Sequence, residues 1–99
     1  MQKEKKLDIL DNLIKRAEEA TYEHENKMIS CVDDVKSFIR NTIGKDSSWV
    51  ERIDEISWSP LVYTDDTTER DSIRVWNSGK KEFIGVINSI RSEVELYSE

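Results

Sequence analysis

The chain has 99 residues, of which 36% are apolar and 36% are charged, and its formal net charge is −6. This length predicts a single domain that buries only about 65% of its unfolded surface, so we expect a thin core that a partner or a second copy would stabilise. Binding to DNA or RNA needs a basic stripe, and acidic residues interrupt both lysine clusters of this chain. We therefore expect no nucleic-acid partner.

The single cysteine, Cys31, excludes an internal disulfide and favours a reducing compartment over secretion. The N-terminal segment MQKEKKLDILDNLIKR carries charges but has no apolar stretch of the kind that signal peptides contain. No apolar run approaches membrane-spanning length. The sequence therefore predicts a cytoplasmic protein with no membrane partner.

Glycine and proline are scarce, with three and one respectively, and apolar residues recur at helical spacing over long stretches. We therefore predict an all-α fold: one small four-helix bundle-like domain over residues 1–99, with a short extended connector before a long C-terminal helix. The first helix is predicted over residues 3–27, where Leu7, Leu10 and Ile14 begin an apolar stripe. The apolar stripe ends before TYEHENK, so we expect that end of the helix to be frayed.

The second helix is predicted over residues 31–43. Ser30 and Asp33 have the spacing of a capping box, in which two residues at a helix start bond to each other's backbone. Gly44 follows at the position where glycine commonly ends a helix.

The third helix is predicted over residues 48–56, because Ser48 and Glu51 form a second candidate capping box. Pro60 removes a backbone donor and restricts the residue before it to extended geometry. We therefore predict that residues 57–64 form the extended connector, and whether they form a strand stays open.

The fourth helix is predicted over residues 69–97, with Thr67 or Thr68 as its N-cap. Its apolar residues alternate three and four apart and form a heptad-like seam with one polar member. The seam consists of Ile73, Trp76, Lys80, Phe83, Ile87, Ile90, Val94 and Tyr97. Such a seam packs either against the other helices of one chain or against a second copy, and both alternatives stay open.

The segment VWNSGKKEFIGVI places two glycines and a lysine in this helix. Gly79 lies beside the seam, where a missing side chain would let another helix or the connector approach closely. Gly85 is expected to be a surface glycine. Lys80 is expected either to extend its charge to solvent or to meet an acid such as Glu51 or Glu55.

We find no pattern of catalytic or metal-binding residues. The GKDSS segment at 44–48 is not a phosphate-binding P-loop, because that motif needs a glycine at the position of Ile39. His24 is the only histidine, so neither a zinc site nor a histidine-based catalytic set can be assembled around a partner. The sequence therefore predicts no enzyme, no cofactor and no metal.

Two segments, GKDSSWVERIDEISWSP and WNSGKKEFIGVINSIRSEVEL, carry a resemblance to a known family. Together with the acidic turn between them, they resemble a small helical module of bacterial anti-phage defence proteins. The resemblance spans roughly residues 32–96. The family often has a tryptophan near the middle of the second helix, where this chain has Ser37 and Phe38.

Modules of this family sit in front of TIR-like or other nucleotide-binding effector domains. The resemblance therefore implies either a piece of a longer protein or a free-standing version, as a phage or a small operon would encode. It implies no catalytic residue.

Our leading hypothesis is a non-enzymatic module that binds a protein partner or associates with itself. Three tryptophans in a small chain favour this, since tryptophan is common both in cores and at interface hot spots. The candidate interaction residues are Trp58, Tyr63, Trp76, Gly79, Lys80 and Phe83.

The alternative hypothesis is a ligand-binding protein, which would sense or sequester a nucleotide immune messenger or inhibit a host defence protein. Aromatic rings would stack on the base and basic side chains would meet the phosphate. The stacking residues would be Trp58, Tyr63 and Trp76. The phosphate-binding residues would be Arg74, Lys80 and Lys81.

Overall fold

The computed structural model describes residues 2–44, 47–59 and 68–97, and most of these residues are helical. The elements are α1 (Lys3–Glu19), a 3-10 turn (Tyr22–His24), α2 (Glu25–Thr42), α3 (Ser48–Asp54) and α4 (Glu69–Tyr97). No strand occurs in the described ranges. The predicted all-α fold with a long C-terminal helix is confirmed. Of the predicted connector, residues 60–64 lie outside the described part of the chain.

The predicted boundary between the first two helices is wrong. α1 ends at Glu19, Ala20 is extended, and α2 begins at Glu25, so the predicted first helix is too long by eight residues. Ser30 lies inside α2 and is exposed, so it does not cap a helix. The physical reason is that Met28 is buried, which extends the apolar stripe of α2 toward its N-terminus.

Hydrogen bonds test the predictions for three helix termini: the end of α2 and the starts of α3 and α4. Gly44 has φ +151°, and its N–H donates to the Ile39 carbonyl, so the predicted glycine stop after the second helix is confirmed. The third helix is capped one residue earlier than predicted, because the Ser47 hydroxyl accepts from the Trp49 N–H. Thr68 caps α4 as predicted and exchanges hydrogen bonds with Asp71, whose pKa the Thr68 backbone N–H lowers. Thr67 lies outside the described residues.

The core lies between α1 and its two neighbours, α4 and α2, and α3 bridges α2 and α4. α4 is about 43 Å long at 1.5 Å per residue and spans most of the 52 Å length of the molecule. The buried apolar residues are Leu10, Leu13, Ala17, Ala20, Met28, Cys31, Val35, Phe38, Ile39, Ile53, Ile56, Trp76, Phe83, Val86, Ile87, Ile90 and Val94.

The seam of α4 is buried within one chain. From Trp76 to Val94 its large apolar members contact the other helices of the same chain. Tyr97, the last predicted member, is 82% exposed, so the buried seam ends at Val94. A coiled-coil partner is therefore not needed to cover this seam.

Polar contacts at the surface fix the helices relative to one another. Arg91 on α4 donates to Asp11 on α1 at 2.6 Å and to Glu95 on its own helix at 3.0 Å. Arg16 on α1 pairs with Asp34 on α2 at 2.8 Å. Such exposed pairs contribute little stability each.

Lys80 caps the C-terminus of α1. Its ammonium group donates to the carbonyls of Glu18 and Ala20, both at 2.8 Å. These carbonyls belong to the end of a helix, where backbone acceptors lack intrahelical partners and a positive charge is favoured. The expected alternatives of a solvent-exposed charge or a pair with Glu51 or Glu55 are both wrong.

Gly79 is the point where the segment after α3 crosses α4. A Cβ atom at Gly79 would lie 2.7 Å from the Ser57 carbonyl oxygen and 3.1 Å from the Trp58 ring. The predicted close approach of the connector is therefore confirmed. A Cβ at Gly85 would meet nothing within 4 Å, which agrees with a surface glycine.

We expect Lys80→Met to lower the free energy of unfolding by about 1–2 kcal/mol, because the Ala20 carbonyl would lose its partner in a buried position. The measurement is urea unfolding followed by circular dichroism. Lys81→Met is the matched control, since Lys81 is exposed, and we expect it to change stability by less than about 0.5 kcal/mol. Equal effects of the two substitutions would contradict the capping role.

We expect Gly79→Ala and Gly85→Ala to have opposite signs in the same unfolding measurement. Both substitutions recover about 1 kcal/mol of helix propensity. Only the methyl group at Gly79 strikes a backbone carbonyl, and overpacking of this kind costs roughly 1–3 kcal/mol. Gly85→Ala should therefore stabilise the chain and Gly79→Ala should destabilise it by up to about 2 kcal/mol. A more stable Gly79→Ala protein would refute the close contact.

Candidate functional site

An aromatic cluster forms where the connector meets α4. The Trp58 ring lies 5.8 Å from the Trp76 ring and 6.0 Å from the Phe83 ring, measured between centroids. Tyr22, in the turn after α1, packs edge-on against Trp76 at 6.3 Å. Edge-to-face and tilted arrangements are the favourable geometries for aromatic pairs. The cluster joins the α1–α2 turn, the connector and α4.

Most of the predicted interaction residues come together in this cluster, but as core rather than surface. Phe83 is fully buried and cannot contact a partner directly in this structure, and Trp76 is only 3% exposed. Gly79 is buried under the connector, and Lys80 is bound to α1. In this structure these residues therefore belong to the core, and a role for them in binding a partner stays a prediction. Tyr63 lies outside the described residues.

Trp58 is the exception, because its side chain is only half-buried. Its ring forms one wall of an apolar groove of about 280 Å³ beside α2. The groove is lined by Glu25, Met28, Ile29, Val32, Asp33, Trp58 and Trp76.

The groove takes its shape from the register of α2. Met28 and Val32 are four residues apart and so share a face, while Ile29 lies on the neighbouring face. Met28 is buried, Val32 is half-buried, and Ile29 is 54% exposed. Ile29 could not be predicted as a groove residue, because residue 29 falls between the predicted helices 3–27 and 31–43. Its exposure follows only once α2 begins at Glu25 and packs.

The rim of the groove is acidic. Glu25 and Asp33 lie at its edge, and no lysine or arginine is among its described lining residues. Within the described part of the chain, neither carboxylate takes part in a hydrogen bond or an ion pair. The groove therefore presents apolar surface between two unpaired negative charges.

The predicted nucleotide-binding set is not brought together. Arg74 and Lys81 are exposed and seven residues apart, so they share one face of α4. Trp76 is two residues from Arg74, about 200° around the helix, and faces the core. Lys80 is already bound to two carbonyls. Arg74 and Lys81 thus lie on a different side of α4 from the Trp76 ring. Of the three cations, only Lys80 is near that ring, with its Nζ 5.9 Å from the ring centroid.

Two other hollows have mixed linings. One of about 530 Å³ between α1 and α2 includes Arg16, which is bound to Asp34 and Ser30. One of about 190 Å³ lies at the opposite end of the molecule, beside Ile43 and Tyr97. Neither hollow combines exposed aromatic surface with a uniform charge.

The described residues offer no metal site and no reactive thiol. Within residues 2–44, 47–59 and 68–97, no three His, Cys, Asp or Glu side chains converge closely enough to hold a metal ion. The Cys31 thiol is buried and donates to the Leu13 carbonyl at 3.3 Å, and burial raises its pKa. A thiol in this state is a poor nucleophile, since the thiolate is the reactive form.

No helix in the described ranges has the length and apolar character needed to cross a membrane. No family model, curated protein or solved structure matches the chain. The resemblance to a module of anti-phage defence proteins therefore stays a prediction from its short motifs. The geometry of the groove between α2 and Trp58 remains the main observation that bears on function.

Proposed function

We propose that this chain is a non-enzymatic protein-docking module and that the groove between α2 and Trp58 is its contact surface. The observation that carries the proposal is that Ile29 is 54% exposed in a groove whose other apolar lining residues are Met28, Val32, Trp58 and Trp76. Exposed apolar surface bordered by polar residues is typical of interaction sites. A half-buried tryptophan in the wall of such a groove is of the residue type most common at interface hot spots.

The shape and charge of the groove favour a protein segment over a nucleotide. Pockets for small molecules usually measure about 300–1,000 Å³ and enclose most of the ligand. This groove, at about 280 Å³, has room for one or two apolar side chains, and its rim is acidic. Phosphate groups would meet Glu25 and Asp33 instead of cations, so no observation favours the nucleotide alternative.

The biological setting stays a prediction. A docking module in front of an effector domain of an anti-phage defence protein is the setting that the resemblance implies. A cytoplasmic location rests on the single cysteine, which is buried and unpaired in the structure. The docking proposal depends neither on the family resemblance nor on the cytoplasmic location.

The test uses Ile29→Glu with Leu96→Glu as its matched control. Both residues are exposed and apolar, but Leu96 lies at the opposite end of the molecule. A displayed library of amphipathic helical peptides is selected against the wild-type chain, and the Kd of the best binder is measured for both variants. We expect Ile29→Glu to weaken binding at least tenfold and Leu96→Glu to leave it unchanged.

Thermal unfolding of the three proteins serves as the folding control, since exposed substitutions usually change stability by less than about 0.5 kcal/mol. The proposal fails if the selection returns no binder to the wild-type chain. It also fails if Ile29→Glu retains full affinity for the selected peptide.

A further inference from the structure

We propose that the groove between α2 and Trp58 selects a basic amphipathic helix, with two apolar anchors between a pair of lysines or arginines, and does not select a second copy of this chain. The inference rests on the proposed docking function and specifies the partner for the same groove. It follows from the positions of the two unpaired carboxylates and from the acidic residues beside Leu96 and Tyr97, the two most exposed large apolar residues of the described chain.

Glu25 and Asp33 bracket the apolar part of the groove along the axis of α2. They are eight residues apart, which corresponds to about 12 Å along a helix. The apolar contacts of Met28, Ile29 and Val32 lie between them. The negative charges thus lie at the two ends of the groove, and the centre of the groove is uncharged.

A partner helix that lies along the groove would need a defined sequence pattern to match it. Residues i, i+3, i+4 and i+7 lie on one face of a helix, and i and i+7 are about 10.5 Å apart along its axis. Basic residues at i and i+7 would therefore reach the two carboxylates. Apolar residues at i+3 and i+4 would enter the groove against Ile29 and Trp58, as in known helix-in-groove recognition.

A second copy of the chain does not meet these requirements at its most exposed apolar site. Leu96 and Tyr97, 73% and 82% exposed, form an apolar end on α4 that could enter a groove. Glu93 and Glu95 lie on the same turns of α4. Glu95 is paired with Arg91. Glu93 accepts from the uncharged Trp49 indole, so it would bring its negative charge to the acidic rim. The chain as a whole also carries a net charge of −6. Like-charge juxtaposition acts against a partner, so the groove disfavours self-docking through this end.

The charges are exposed, so they set partner choice more than total affinity. Exposed ion pairs are individually weak and screened by salt. Two such pairs together are expected to change affinity by roughly tenfold at low ionic strength. Burial of the apolar anchors is expected to provide most of the binding.

The experiment compares two synthetic helical peptides that share leucines at i+3 and i+4. One peptide has lysines at i and i+7, and the other has glutamates there. Binding is measured by fluorescence anisotropy of the labelled peptides at low and high salt. The proteins are the wild-type chain, Ile29→Glu, the double variant Glu25→Gln with Asp33→Asn, and a control double variant.

The control is Glu4→Gln with Asp8→Asn, which changes the net charge equally but at exposed sites near the start of α1. We expect the lysine peptide to bind the wild-type chain about tenfold more tightly than the glutamate peptide. This preference should shrink to less than threefold at high salt and in the groove double variant. It should persist in the control variant.

The possible contrary results separate the two proposals. Equal binding of both peptides, with both lost in Ile29→Glu, would overturn the charge selection and leave the docking function in place. Absence of binding by either peptide, or binding unaffected by Ile29→Glu, would overturn both. A dimer of the wild-type chain in sedimentation that Ile29→Glu dissociates would identify a second copy as the occupant and overturn the inference.

Discussion

The contact on which the site depends is the crossing of the connector over α4 at Gly79. A side chain at this position would occupy the space of the Ser57 carbonyl, so only glycine lets the backbone lie this close. The crossing places Trp58 against Trp76 and Phe83, and the exposed part of the Trp58 ring becomes a wall of the groove. Gly79 is an unfavourable residue for the interior of α4, and the packing of the connector against the helix compensates for this cost.

The neighbouring residue, Lys80, positions the other side of the site. Its ammonium group holds the end of α1, and the chain then turns through Tyr22 into the first turn of α2. That turn carries Glu25, and the next turn carries Met28 and Ile29. Gly79 and Lys80, which are adjacent on α4, therefore position the two walls of the groove. Gly79 does so because it lacks a side chain, and Lys80 does so because its long charged side chain holds the end of α1.

The sequence predicts well what depends on periodicity and poorly what depends on long-range contacts. The members of the seam from Trp76 to Val94 follow from spacing, although the sequence leaves open whether the seam is buried within one chain. The close approach at Gly79 follows from the missing side chain beside that seam. The break after Glu19 does not, because the end of the apolar stripe at Ala20 predicts only a frayed helix, and the extended Ala20 is explained only by its tertiary burial. The groove was missed for the same reason, since the exposure of Ile29 depends on how α2 packs.

The contact between Lys80 and α1 has a consequence for the way this fold would vary among related sequences. Its acceptors are main-chain carbonyls, which every residue type supplies. The side chain at position 18 can therefore change freely without loss of the contact. In an alignment, the lysine would stand as a conserved residue with no covarying partner, so covariation methods would not detect this contact between α1 and α4.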